Sequence, residues 1–239
     1  MNFIGLFMSS EFELVFVWNQ ARPEGKAIII LLVMFSIFAW SVMASKAMQM
    51  RRAKRLNSLF DKEFHGQKGI MGIFDRRIQV VGCPLYSVYE SGCSELQRGV
   101  ARAKEARGES TDKVSLRSIE HVKRALERAV SQESLRLESG LILLALAVSG
   151  APFLGLLGTV WGVMSTFAEV AKAGNAQLTT MAPGVAAALV TTVAGLLVAI
   201  PSMFGYNWLV HHLRVLTVDM DNFAHELASK MEIEFLDDV

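Results

Sequence analysis

Three threonines, Thr159, Thr191 and Thr192, stand inside long stretches that hold no Asp, Glu, Lys or Arg. A hydroxyl both donates and accepts hydrogen bonds, so a row of them can line a wet path through a membrane. It cannot carry net charge. A proton or ion relay needs an ionisable group within the membrane, and these stretches supply none. Taken singly, each hydroxyl is expected to bond the carbonyl one turn back on its own helix. The remaining chemistry-bearing residues are sparse. His211 and His212 are adjacent, so a helix directs them to different faces, and they read as interfacial. Cys83 and Cys93 are too few and too far apart for a metal site, and read as two plain thiols. The chain offers no phosphate-cradling loop, no nucleophile paired with a base and no metal-ligand spacing. No enzymatic chemistry, cofactor or metal is expected of it.

The elements that must position these hydroxyls follow from where charge is missing. Of 239 residues, 52% are hydrophobic and 20% charged. Residues 27–45, 139–168 and 173–213 form uncharged runs of 19, 30 and 41 residues. About 20 apolar residues cross the ~30 Å hydrocarbon core, so a single soluble domain is excluded. The pattern predicts an all-α polytopic membrane protein with three transmembrane helices, at 27–45, 139–168 and 181–208. Lys46, Arg51, Arg52, Lys54 and Arg55 follow the first span, whereas only Arg22 and Lys26 precede it. The positive-inside rule then places residue 46 onward in the cytoplasm and the N-terminus outside. The first 20 residues carry Glu11 and Glu13 but no Lys or Arg, unlike a cleavable signal peptide. Residues 3–18 read as an amphipathic helix on the outer surface, within an outer segment 1–26.

Residues 46–138 hold 19 Lys/Arg and 12 Asp/Glu and are expected to form a cytoplasmic helical domain. Ser110, Thr111 and Asp112 offer helix-start chemistry. Val114, Ile119, Val122, Leu126 and Val130 then recur at near-helical steps. With no strong breaker before Ser139, this helix is expected to run on into the second span, where Gly150 and Pro152 suggest a kink. Glu169, Lys172, Gly174 and Asn175 mark a polar turn over 169–180. Residues 209–239 form a tail in which 2 basic residues face 7 acidic ones from Arg214 onward. The near-neutral net charge of +1 gives no case for nucleic-acid binding.

The second and third spans are rich in small residues. Gly155, Gly158 and Gly162 lie in one. Gly184, Ala188, Thr192, Gly195 and Ala199 share a face of the other. Lipid tails give helices no hydrophobic drive to associate, so small residues matter because they let backbones approach. Three spans without an internal repeat or a pair of broken helices argue against a small-solute transporter.

Pro152–Met164, PFLGLLGTVWGVM, together with Ala182–Pro201, APGVAAALVTTVAGLLVAIP, resembles the MotA/TolQ/ExbB proton-channel family on its TolQ/ExbB branch. The resemblance is close over residues 137–210 and one of layout before them. It implies a homopentamer of long helices, extending into the cytoplasm, around a central pore. It also implies a single-span partner of the TolR/ExbD kind whose membrane Asp binds the proton, and envelope proteins downstream. The setting implied is the bacterial inner membrane, with a periplasmic N-terminus and cytoplasmic C-terminus. Family threonines fall on Thr159 and Thr192, which would line the proton path. Gly155, Gly158, Gly162, Pro183, Gly184, Ala188 and Gly195 would pack the pore helices. The branch usually reads APGIAEAL where this chain reads APGVAAAL, so the family's membrane Glu falls on Ala187. A non-conducting scaffold for an envelope complex is the competing expectation.

Overall fold

The computed structural model describes residues 23–67, 69–76, 80–107, 113–174 and 177–236. The expected surface helix over 3–18 and the start signals at 110–112 lie outside these residues. Six helices account for the described chain: α1 Pro23–His65, α2 Gly72–Asp75, α3 Pro84–Arg107, α4 Leu116–Glu138, α5 Leu141–Ala173 and α6 Leu178–Phe235. Helices α1, α5 and α6 are each long and apolar enough to cross a membrane. The protein is an all-helical membrane protein. Its chain divides into two compact units, residues 1–44 with 140–208 and residues 45–139 with 209–239.

The first unit contains the apolar parts of α1, α5 and α6. Pro23 opens α1, where its missing N–H costs nothing because the first turn has no acceptor for it. The buried centre is small: Leu32, Ala151 and Ala199, with Ile28, Leu154, Ala194 and Val198 packed around them. The other faces are apolar and open, for example Ile37, Phe38 and Trp40 on α1 and Phe153, Leu156 and Val160 on α5. A water-soluble unit could not leave such faces uncovered; a bilayer or neighbouring helices can cover them.

The second unit obeys aqueous rules. Ile119, Val122, Leu126, Ala129, Val130 and Leu137 form one buried stripe along α4, as the near-helical spacing requires. Leu216, Met220, Phe223, Leu227 and Met231 form another along α6, so the acidic stretch 209–235 continues the helix. Tyr89 and Phe223 each meet Phe60 and Phe64 edge to face, with ring centroids 5.1–6.0 Å apart. The Tyr89 hydroxyl donates to the Ile70 carbonyl at 2.6 Å and accepts the Phe74 N–H at 3.0 Å. Asn57 Oδ1, buried on α1, accepts the Leu85 N–H at 3.2 Å and thereby caps α3 from a different helix.

Helix α4 does not run into the second span. It begins after Ser115, whose side chain accepts the Ser118 N–H. It ends at Glu138, and Gly140 then takes φ +84°, a left-handed conformation that glycine adopts without a Cβ clash. Lys46 Nζ reaches the Leu137 carbonyl at 3.2 Å and Ser139 Oγ at 3.4 Å, placing a cation at the carbonyl end of α4, where the helix dipole favours it. Gly150 and Pro152 both lie inside α5, and Glu169 and Lys172 belong to its last turns before Gly174, φ +65°, closes it.

Both cysteines are buried and unpaired. Burial pushes the Cys83 thiol up and the Cys93 thiol up to about 12. A group that holds its proton more tightly when folded contributes stability below its ordinary value of 9.0, and that contribution drains away as pH climbs toward 12. Maleimide at pH 8 should therefore label neither thiol in the native protein and both after denaturation, read by intact mass. Phe60→Ala should destabilise the second unit by about 3–5 kcal/mol, read as a lowered unfolding midpoint in mild detergent.

Candidate functional site

Helices α5 and α6 approach each other through a ladder of small side chains. An added Cβ on Gly155 would meet the Thr192 Cα at 3.0 Å; on Gly162, the Ala188 Cβ at 2.6 Å; on Gly195, the Ala151 carbonyl oxygen at 2.6 Å. One on Gly184 would meet the Thr166 hydroxyl at 2.5 Å, and one on Gly158 would overlap Thr191. The pairs Gly155 with Gly195, Gly162 with Ala188, and Thr166 with Gly184 have numbers that add to the same total. That constancy is the mark of two helices in antiparallel register. The glycines are required here by contact: an added Cβ would strike backbone at Gly155 and Gly195, and the facing side chain at Gly158, Gly162 and Gly184.

The ladder carries the three threonines to one point. Thr191 is almost fully buried at 1% exposure, while Thr159 and Thr192 are half-buried. Thr159 and Thr192 share a hydrogen bond between their hydroxyls. Thr159 Oγ1 also lies 3.5 Å from Thr191 Oγ1. Two carbonyls receive this group. Gly155 O lies 3.2 Å from Thr159, 3.0 Å from Thr191 and 3.2 Å from Thr192. Ala188 O lies 2.7 Å from Thr191 and 3.2 Å from Thr159. Thr159 makes the expected bond to the carbonyl four residues back and Thr191 one to the carbonyl three back, but every hydroxyl of the trio also has a partner on the facing helix.

Proton accounting shows what this cluster can do. Each carbonyl has two lone pairs, one of which serves its own helix. Two spare lone pairs face three hydroxyl protons, so one hydroxyl must donate to another. Thr159 can donate to Thr192 while Thr192 donates to Gly155. The reverse order, with Thr159 donating to Ala188, uses the same groups. The cluster has two near-equivalent hydrogen-bond directions and no charged member.

The other expected site residues fall as follows. Ala187 and Ala188 are buried at 6% and 4% exposure. Pro183 lies within α6, directly before Gly184. Thr191 joins Thr159 and Thr192, the two expected to line the path. Thr166, two turns after Thr159, is the hydroxyl of this contact that the sequence does not single out. The rings of His211 and His212 meet edge to face, with centroids 5.6 Å apart. Among the described residues no group of three or more His, Cys, Asp or Glu could hold a metal.

The ladder makes a paired test. Gly195→Ala should lower the thermal midpoint in detergent, by about 1–3 kcal/mol of overpacking. Gly150→Ala, where an added Cβ meets nothing within 4 Å, should be neutral or stabilising by up to about 1 kcal/mol.

Residues 94–222 match the MotA/TolQ/ExbB proton channel family, a span that covers the last turns of α3, all of α4 and α5, and α6 through the ladder. The chain is similar to the Tol-Pal system protein TolQ of Haemophilus influenzae, 27% identical over 226 residues, covering 93% of this chain and 95% of that protein. It is similar to TolQ of Pseudomonas aeruginosa, 32% identical over 192 residues, covering 79% of each. It is also similar to the biopolymer transport protein ExbB of Xanthomonas campestris, 42% identical over 113 residues, covering 47% of this chain and 45% of that one. With the glycine–threonine ladder inside the matched region, the chain belongs to the MotA/TolQ/ExbB proton channel family.

Proposed function

We propose that this protein is the channel and stator subunit of an inner-membrane motor that uses the proton motive force to energise an envelope process. In this reading it assembles as a homopentamer, with spans 27–45, 139–168 and 181–208 in the bilayer. Residues 1–26 and 169–180 face the periplasm, and residues 46–138 and 209–239 face the cytoplasm. The positive run after the first span supports that orientation. The carrying observation is the Thr159–Thr191–Thr192 cluster, set at a close helix contact inside stretches without a single charge. Such a wall can orient and pass a proton by reversing its hydroxyls but cannot hold one. A single-span partner of the TolR/ExbD kind, bringing a membrane Asp, supplies the missing group. Thr159 and Thr192 then line the path beside it, and the glycine ladder keeps the wall thin and fixed.

One observation favours a second reading. Every hydroxyl of the trio has a backbone carbonyl within reach, so the cluster can also serve as packing alone. A scaffold that anchors an envelope complex and conducts nothing would need no more.

Co-expression with a single-span protein carrying a membrane Asp, followed by native mass measurement in mild detergent, separates the readings. The motor predicts a complex of five copies of this chain with two of the partner; a homo-oligomer that captures none supports the scaffold. In liposomes loaded with the complex, Thr159→Val with Thr192→Val should cut proton uptake at least about tenfold, equivalent to ~1.4 kcal/mol on the barrier. Ser at both positions, which keeps the hydroxyls, should retain it. Undiminished uptake in the valine variant would sink the path.

A further inference from the structure

A cleft of about 470 Å³ opens in the second unit between α1, the turn into α3 and the last turns of α4. Ser45, Met48, Arg52, Val81, Glu133 and Arg136 are among the residues that line it. About 10–15 Å³ of such space admits one water, so the cleft takes a polar group of many atoms. The uncharged run 27–45 ends at its edge with Ser45, and the run 139–168 begins with Ser139. Lys46 Nζ lies 3.4 Å from Ser139 Oγ and 3.2 Å from the Leu137 carbonyl, which sets the two junctions at one level. A helix rises ~1.5 Å per residue, so Met48 lies about 5 Å and Arg52 about 10 Å past the end of the first run. The headgroup layer of one leaflet is roughly 5–8 Å deep. With residues 27–45 in the bilayer, the cleft begins at that layer and reaches just beyond it.

The lining combines positive charge with open apolar surface. Arg52 and Arg136 supply two cations. Lys46 stands at the rim, bonded to Gln49 of the lining at 3.0 Å. The turn before α3 runs along the Arg52 side chain: Gly82 takes φ +89°, and a Cβ there would sit 3.9 Å from Arg52 Nε. Glu133 is the acid among the described lining residues, 3.5 Å from Arg136. Three cations against one carboxylate leave a net positive cleft. A guanidinium forms paired hydrogen bonds with phosphate oxygens. Beside these charges, Met48 and Val81 are 65% and 74% exposed. Large apolar side chains open to water are poorly placed there and well placed against acyl chains.

We propose that this cleft binds an anionic glycerophospholipid of the adjoining leaflet, with Arg52 and Arg136 on the phosphate, Lys46 at the rim, and Met48 and Val81 against the acyl chains. Basic pockets at the ends of spans hold such headgroups by charge and hydrogen bonding. A lipid seated there bridges α1 and α4 at the bilayer surface. The site rests on the placement of residues 27–45 and 139–168 in the membrane given above, and not on whether the protein conducts.

The test uses the full chain in mild detergent, titrated with phosphatidylglycerol or phosphatidylethanolamine and read by native mass spectrometry. Phosphatidylglycerol should be retained at concentrations at least about tenfold below those that phosphatidylethanolamine needs. Each cation near an anionic headgroup is worth about a factor of five, so Arg52→Gln with Arg136→Gln should weaken retention about 25-fold. Both arginines are exposed, so this variant should keep the parent's unfolding midpoint. Arg98→Gln with Arg102→Gln removes the same charge from α3, outside the cleft, and should leave retention unchanged. Glu133→Gln should strengthen it, a gain that misfolding cannot produce. No preference for the anionic lipid, or equal losses from the two arginine pairs, overturns the site. Displacement of the lipid by millimolar inorganic phosphate also overturns it, since the cleft is then a free-anion site. In liposomes, a complex that conducts protons while retaining no phosphatidylglycerol sinks the site and leaves the channel reading standing. One that retains the lipid and conducts nothing does the reverse.

Discussion

The contact between α5 and α6 is the constraint on which the first unit depends. In lipid there is no gain from hiding apolar surface, so two helices hold together through close atomic packing and interhelical hydrogen bonds. Both require backbones nearly in touch. The glycines at 155, 158, 162, 184 and 195 remove the side chains that would hold them apart, and where an added Cβ would collide with backbone, as at Gly195 with the Ala151 carbonyl, there is nothing flexible to give way. Close approach also lets hydroxyls of one helix reach carbonyls of the other. Thr191 to Gly155 at 3.0 Å is such a bond. Packing and polar chemistry are thus one feature: a wider contact would lose the threonine cluster as well as the dispersion energy.

The second unit is held by different physics along the same α1 and α6 helices. There the buried positions are large, Phe60, Phe64, Tyr89, Leu126, Phe223 and Met231 among them, and the outer faces are charged. Water supplies the drive, at roughly 25 cal/mol per Å² of apolar surface removed from it. Surface pairs such as Lys123 with Glu232 at 2.6 Å contribute little by comparison, about 0–1 kcal/mol each. A helix such as α6 changes its rules within one element, from small-residue contacts at 184–199 to a large apolar stripe from Leu216 onward. All 58 of its residues form one helix.

How much of this was legible in the sequence depends on the range of the signal. The three apolar helices were legible because missing charge over 19 or more residues has no other physical meaning in a helical chain. The stripe on α4 was legible from its period. The small-residue faces of α5 and α6 could be written down separately; that they face each other in register could not, since period along a helix says nothing of its partner. That Thr191 meets Gly158 and Thr166 meets Gly184 across this contact was hidden for that reason. The break at Gly140 was hidden because glycine is common in membrane helices, and only its left-handed φ marks it as a stop. The Asn57 cap on α3 and the Phe60–Tyr89–Phe223 cluster join residues far apart in the chain, which no local pattern announces.

A buried polar network with one fixed arrangement is a structural rivet. A network with fewer free acceptor lone pairs than protons must include hydroxyl-to-hydroxyl bonds, and these can point either way along the row. Thr159 and Thr192 hold that position here, each with a carbonyl behind it. Reversal moves no heavy atom and leaves every proton bonded, so the barrier is one of hydroxyl rotation rather than of helix motion. Such a row responds to a charge at either end by turning its dipoles toward it, and it holds no charge of its own. Ala187, buried at 6% exposure beside Ala188, adds no charge to the row either.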